Sequence, residues 1–219
     1  MRDFTVSSIE KEKVIAILRG VEKDKLLPVA KALYDGGIRL IEVTFRQQAP
    51  DSAAETARAI EWIRSEYEGR MLVGAGTVLT EAQADLAHRA GAGFIISPDT
   101  EPRVIARTRE LDMVSIPGAM TSTEILAAHR AGADFVKIFP ASVMGTAYIK
   151  AIRGPISHVR LLAVGGIDSG NAAAFLKAGV CGVGVGGKLV DAGAIEKGDF
   201  EKLTKEATAL VGAVNQKEG

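Results

Sequence analysis

Apolar residues along this 219-residue chain fall into short runs, and between the runs they form stripes with helical spacing. Four stretches repeat one design, in which an amphipathic segment reaches a Gly and passes directly into an apolar strand. They are ALYDGGIRLIEVT (Ala32 to Thr44), LAHRAGAGFIISP (Leu86 to Pro98), AAHRAGADFVKIFP (Ala127 to Pro140) and FLKAGVCGVGVG (Phe175 to Gly186). Gly36, Gly91, Gly132 and Gly179 are expected in the left-handed position just past a helix, which a residue without Cβ occupies at no steric cost. Strand-like runs at Val14 to Gly20, Met71 to Val78, Met113 to Met120 and Val159 to Gly166 bring the strand count to eight. Their starts recur roughly every 19 to 33 residues, the length of a strand–helix unit with short connections. Because the strands are nearly continuous in apolar character, both faces are predicted to be buried. This predicts a single (β/α)8 barrel of the TIM type over residues 1–219, with a short N-terminal helix; an open doubly wound sheet is the alternative. In such a barrel the reactive groups sit where strands run into the following loops.

Polar residues inside these strands are therefore the candidates. Alternation places Lys137 on one face with Phe135 and Phe139. A lysine among apolar neighbours loses hydration, its charged form is disfavoured, and the free amine becomes a nucleophile. The competing reading is a structural lysine paired with a core carboxylate. The same alternation puts Leu40, Glu42, Thr44 and Arg46 on one face, so Glu42 can exchange protons at the barrel mouth. Arg46 is suited to fork a carboxylate, unless it pairs with Glu42. Thr77 ends the run VGAGTV, where Gly74 and Gly76 permit close backbone approach, and Arg19 ends the first strand. Each reads equally as a ligand contact or as an ordinary loop residue. Gly165 and Gly166 after the seventh strand, and Gly186 and Gly187 in the eighth, offer backbone amides where barrels of this kind commonly seat phosphate. The run Gly182 to Gly187 also fits G-x-G-x-x-G, but it lies at the end of the barrel with no later ribose-binding acid, and Leu189 replaces the Ser or Thr a Walker motif needs.

Composition narrows the partners. Lys and Arg total 27 and Asp and Glu total 27, so no electrostatic footprint for nucleic acid or an anionic membrane is expected. The single Cys181 has no intramolecular disulfide partner and is expected as a small packed residue in a reducing compartment. The N-terminal stretch lacks an apolar signal-peptide core and no run reaches membrane-spanning length, so a cytoplasmic location is expected. His88 and His129 share the repeat position HRAG and His158 lies in a loop. With no H-E-x-x-H or Cys/His cluster, no metal and no cofactor are expected.

Together IEVTFR (Ile41 to Arg46), VGAGTV, ISP (Ile96 to Pro98), IPGAMT, VKIFPAS, VGGI and GVGVGG resemble the family of 2-keto-3-deoxy-6-phosphogluconate (KDPG) and 4-hydroxy-2-oxoglutarate (KHG) aldolases, which includes enzymes for 6-phosphogalactonate. The resemblance runs in order over nearly the whole chain. It implies a class I aldolase that releases pyruvate from a phosphorylated keto acid, with Lys137 forming the imine and Glu42 moving protons. It further implies Arg46 and Thr77 on the pyruvyl carboxylate, Pro98 and Phe139 lining the site, Gly165, Gly166, Gly186 and Gly187 on the phosphate, Arg19 as an added contact, and a homotrimer. Two positions depart from the gluconate-type pattern: Val164 stands where Thr is frequent, and Gly187 where Ser is frequent. A barrel that binds sugar phosphates without turnover, and an epimerase or isomerase using Glu42 and Lys137 as acid and base, are the rival readings.

Overall fold

The computed structural model describes residues 1–47 and 52–216. Its helices are α1 (Arg2–Glu12), α2 (Lys23–Asp35), α3 (Ser52–Glu66), α4 (Glu81–Arg89), α5 (Pro102–Glu110), α6 (Ser122–Arg130), α7 (Ala141–Arg153), α8 (Ala172–Lys177), α9 (Ala192–Glu196) and α10 (Phe200–Asn215). The strands are β1 (Val14–Leu18), β2 (Leu40–Thr44), β3 (Leu72–Gly76), β4 (Phe94–Ile96), β5 (Val114–Ile116), β6 (Gly118–Ala119), β7 (Val136–Ile138), β8 (Leu161–Val164) and β9 (Gly182–Val185). All pair in parallel, in the order β5-β4-β3-β2-β1-β9-β8-β7-β6.

The nine strands occupy eight positions. β5 and β6 are one strand of the expected eight, interrupted at Pro117, which has no N–H to give to a ladder. Its lower half bonds to β4 and its upper half to β7. Across the break Lys137 N donates to Pro117 O at 2.8 Å, and Asp134 N to Ser115 O at 3.0 Å, so the ring closes there. The fold is a (β/α)8 barrel.

Two apolar layers hold it. Ile15, Leu40, Phe94, Ile96, Val114, Ile116, Phe135 and Leu162 fill the barrel's interior, and Val6 and Ile9 of α1 pack beneath them. The alternate strand residues, among them Ala16, Ile41, Val43, Val136 and Ile138, pack outward with the helices. Each large side chain so buried stabilises the fold by about 1.5–3 kcal/mol. The charged link at the base is Asp134, whose Oδ1 accepts from Arg2 at 2.7 Å and Arg109 at 2.9 Å, while Oδ2 accepts from the Ser115 N–H at 2.9 Å.

Helix ends follow local chemistry. Thr121 and Glu124 form a reciprocal capping box at the start of α6, satisfying amides that the first turn leaves without partners. Gly91, Gly132 and Gly179 take positive φ values of 88°, 98° and 109°. Gly36 does not: it lies at φ −78°, and Gly37 takes the left-handed position at φ 95°. The reason for Gly36 is packing, since a Cβ there would overlap Ala207 of α10 and stand 2.7 Å from Thr204 O.

Candidate active site

Glu42 lies on β2 and Lys137 on β7, both pointing into the barrel above the apolar interior and 2% and 8% exposed. Glu42 Oε1 accepts from Thr44 Oγ1 at 3.1 Å, two residues further along the same face. Oε2 accepts no hydrogen bond from the protein. A buried carboxylate oxygen without a donor is costly, and it is the kind of exception that points to chemistry. Among the described residues no ion pair joins Glu42 to Lys137, so the structural-pair reading of Lys137 does not describe this arrangement. The Lys137 ammonium position stands 4.7 Å from the centre of the Phe139 ring, over its face.

The two groups perturb one another in opposite senses. Burial pushes the Glu42 carboxyl above its ordinary range, and the nearby charges of Lys137 and Arg19 with the Thr44 hydrogen bond only partly offset this. Burial pulls Lys137 below its ordinary range. The Glu42 charge opposes that fall, Arg19 adds to it and Asp99 opposes it. Both shifts move the groups toward their neutral forms, the amine of Lys137 and the carboxyl of Glu42.

The strand glycines make room for this pair. Register sets Glu42 beside Gly74 and Thr44 beside Gly76. A Cβ on Gly74 would overlap the Phe94 ring, and one on Gly76 would overlap the Glu42 carboxylate. In the structure both glycines admit interior side chains. Thr77, next along, is half-buried with φ 53°, a conformation that branched side chains rarely adopt.

The remaining candidates ring the mouth. Arg46 lies beyond the end of β2, in the loop toward α3, and its guanidinium pairs with Glu55 of α3 rather than with Glu42. Arg19 is exposed just past β1, close enough to influence both Glu42 and Lys137. Pro98 is exposed after β4, and its carbonyl crosses so near Gly118 that any side chain there would collide with it. Gly165 and Gly166, at φ 94° and 73°, turn the chain after β8: the first packs against Phe139 and the second lies beneath the Ser142 hydroxyl. Gly187 faces open space, and a Cβ on Gly186 would meet only Ile17, at 3.9 Å. Val164 points inward with its methyl groups beside Gly184, 4% exposed.

Sequence reasoning did not single out Thr44, Glu55 or Asp99 as functional. Thr44 shares the parity of Glu42, and Asp99 follows a barrel strand directly, so both carried a positional signal. Glu55 carried none, because its contact with Arg46 arises between a loop and a helix. Among the described residues no group of three or more His, Cys, Asp or Glu is placed to hold a metal ion, and no helix is long and apolar enough to cross a membrane.

Comparison with known proteins agrees with this geometry. The KDPG and KHG aldolase family model matches residues 6–206. The chain is 35% identical over 204 residues to the 2-dehydro-3-deoxy-6-phosphogalactonate aldolase of Escherichia coli, covering 93% of this chain and 95% of that one. It is 39% identical over 201 residues to the 2-dehydro-3-deoxy-phosphogluconate aldolase of Treponema pallidum, covering 90% and 91%. Among solved structures it resembles the KDPG aldolase from Legionella pneumophila with pyruvate captured at low pH as a covalent carbinolamine intermediate. That match has a TM-score of 0.81 and 29% identity over 94% of this chain and 97% of that one. A buried lysine and carboxylate at the mouth of a (β/α)8 barrel thus coincide with near full-length similarity to enzymes of one kind, and the chain belongs to the KDPG and KHG aldolase family.

Proposed function

We propose that the protein is a class I aldolase that cleaves 2-keto-3-deoxy-6-phospho-sugar acids to pyruvate and glyceraldehyde 3-phosphate, with Lys137 as the imine-forming amine. The observation that carries this reading is the buried, unpaired Lys137 facing a carboxylate whose Oε2 has no protein partner. The Lys137 amine adds to the C2 carbonyl, giving a carbinolamine that loses water to a protonated imine. Glu42 accepts the C4 hydroxyl proton as the C3–C4 bond breaks, its electrons pass into the imine as an enamine, and the aldehyde leaves. Protonation at C3 and hydrolysis then return pyruvate and the free amine. Such a proton relay contributes about 10²–10⁴-fold to rate.

Arg46 and Thr77 are assigned to the pyruvyl carboxylate, which requires Arg46 to exchange Glu55 for the ligand. Phe139 and Pro98 wall the site, the amides of Gly165, Gly166, Gly186 and Gly187 seat the phosphate, and Arg19 adds a cation at the rim. Val164 presents methyl groups where Thr is frequent in the gluconate-type pattern, so the substrate is of the phosphogluconate or the phosphogalactonate type, with KHG as a smaller one. A homotrimer in the cytoplasm, working without metal or cofactor, completes the reading by family resemblance.

Borohydride trapping with pyruvate, followed by mass spectrometry of the intact chain and its peptides, tests the assignment. The expected result is one pyruvyl adduct on Lys137, absent from Lys137→Ala, which also loses aldolase turnover. A folded protein that yields no adduct, or a Lys137→Ala protein with undiminished turnover, overturns the mechanism.

A further inference from the structure

At the closed end of the barrel, opposite the reaction centre, a cavity of about 430 Å3 opens between α1 and the starts of β2 and β3. Arg39 and Arg70 line it, with Ser7, Ser8 and Lys11 from α1 and the 66% exposed Phe4 at its edge. The two guanidiniums share one support: Arg39 lies 4.1 Å and Arg70 5.6 Å from the centre of the Tyr34 ring, and Arg70 is also 4.9 Å from that of Tyr67. Arg39 is further fixed by bonds to the carbonyls of Tyr34 at 2.9 Å and Ile38 at 2.8 Å.

Among the described residues neither arginine has a carboxylate partner. Of the acids nearby, Glu12 also lines the cavity but is paired with Lys11 at 3.3 Å, and Asp35 is paired with Lys31 at 2.5 Å. Arg70 lies past the end of α3 and donates to the main-chain carbonyl of Glu66 rather than to its carboxylate. Two like charges held beside one ring, without an acid to cancel them, repel one another at a site that an anion would relieve. A guanidinium fork is matched to the oxygens of a phosphate; Arg70 keeps the donors not given to the Glu66 carbonyl, and Ser7 adds a hydroxyl, that of Ser8 being given to the Phe4 carbonyl.

We propose that this cavity is a second anion site that takes a small phosphate dianion, inorganic phosphate or a soluble phosphate monoester, and ties α1 to the base of β2 and β3. It is separate from the glycine-lined mouth and independent of the roles assigned there. Equilibrium dialysis of labelled inorganic phosphate against the intact protein tests it, with Arg70→Gln as the variant. Arg70 is exposed, so the variant is expected to fold, and its kcat and KM for the aldol substrate should match those of the wild type. The expected result is a phosphate site whose affinity falls about tenfold or more in Arg70→Gln, the loss that follows from removing a charge-assisted donor. The proposal is overturned if Arg70→Gln binds phosphate with the stoichiometry and affinity of the wild type, or if its KM for the aldol substrate rises in step with the lost phosphate affinity.

Discussion

At the scale of single residues, Glu42 and Lys137 set one another's protonation, and that coupling has a sign. The Glu42 charge raises the pKa of Lys137 against the stronger effect of burial. Replacing Glu42 by Gln removes this support, so Lys137 should lose its proton at lower pH. Borohydride trapping with pyruvate, followed as a function of pH, is expected to rise as the free amine forms. Its midpoint should lie below the ordinary lysine value of about 10.4 and move further toward acid in Glu42→Gln. Cleavage in that variant should slow by about 10²–10⁴-fold while the adduct still forms. A profile that stays in place would mean that the two charges do not meet. Both residues were legible in the sequence because each interrupts an apolar strand on its inward parity. Asp99 and Thr44 were harder to rank, since their influence depends on distances across the mouth that no single strand encodes.

At the scale of elements, register between neighbours decides what sequence alone leaves open. The repeat of helix, glycine and strand was legible because chain reversal and burial impose it locally, and Gly91, Gly132 and Gly179 behave as that logic requires. Gly36 was misplaced by one residue because its constraint comes from α10, some 170 positions away along the chain. Alternation runs on past Thr44, with Phe45 joining Ile41 and Val43 in the outer core, and what one strand does not encode is the pairing of Arg46 with Glu55 of α3. Gly76 shows the same dependence on a neighbour. Its missing side chain leaves the space that the Glu42 carboxylate fills from β2. Gly76→Ala should displace that flexible carboxylate with little change in the urea midpoint. A reacting group moved by about an ångström costs on the order of 10²-fold in rate, so cleavage should fall by roughly that factor while imine trapping persists. Full cleavage in a folded Gly76→Ala protein would show that the position of the Glu42 carboxylate does not limit cleavage.

At the scale of the whole molecule, the base of the barrel is held by one buried carboxylate joining α1, α5 and β5. Asp134→Ala would strand the Ser115 N–H and release Arg2 and Arg109 together. Both arginines are partly exposed, so screening reduces their share, and a loss of about 1–3 kcal/mol is expected from the stranded amide and the lost bonds. Urea denaturation with unchanged slope would read it, and an unaltered midpoint would show that α1 is held by its apolar residues alone. Above this base the interior layer of Ile15, Leu40, Phe94, Val114, Phe135 and Leu162 carries no side-chain donor or acceptor and is almost fully buried. Hydrogen therefore reaches Lys137 and Glu42 only from the open end. Once a substrate lies across that end, the proton lifted from its C4 hydroxyl has nowhere to exchange. A complex formed with substrate in D2O and diluted at once into H2O should accordingly carry deuterium in part to the methyl group of pyruvate within a single turnover.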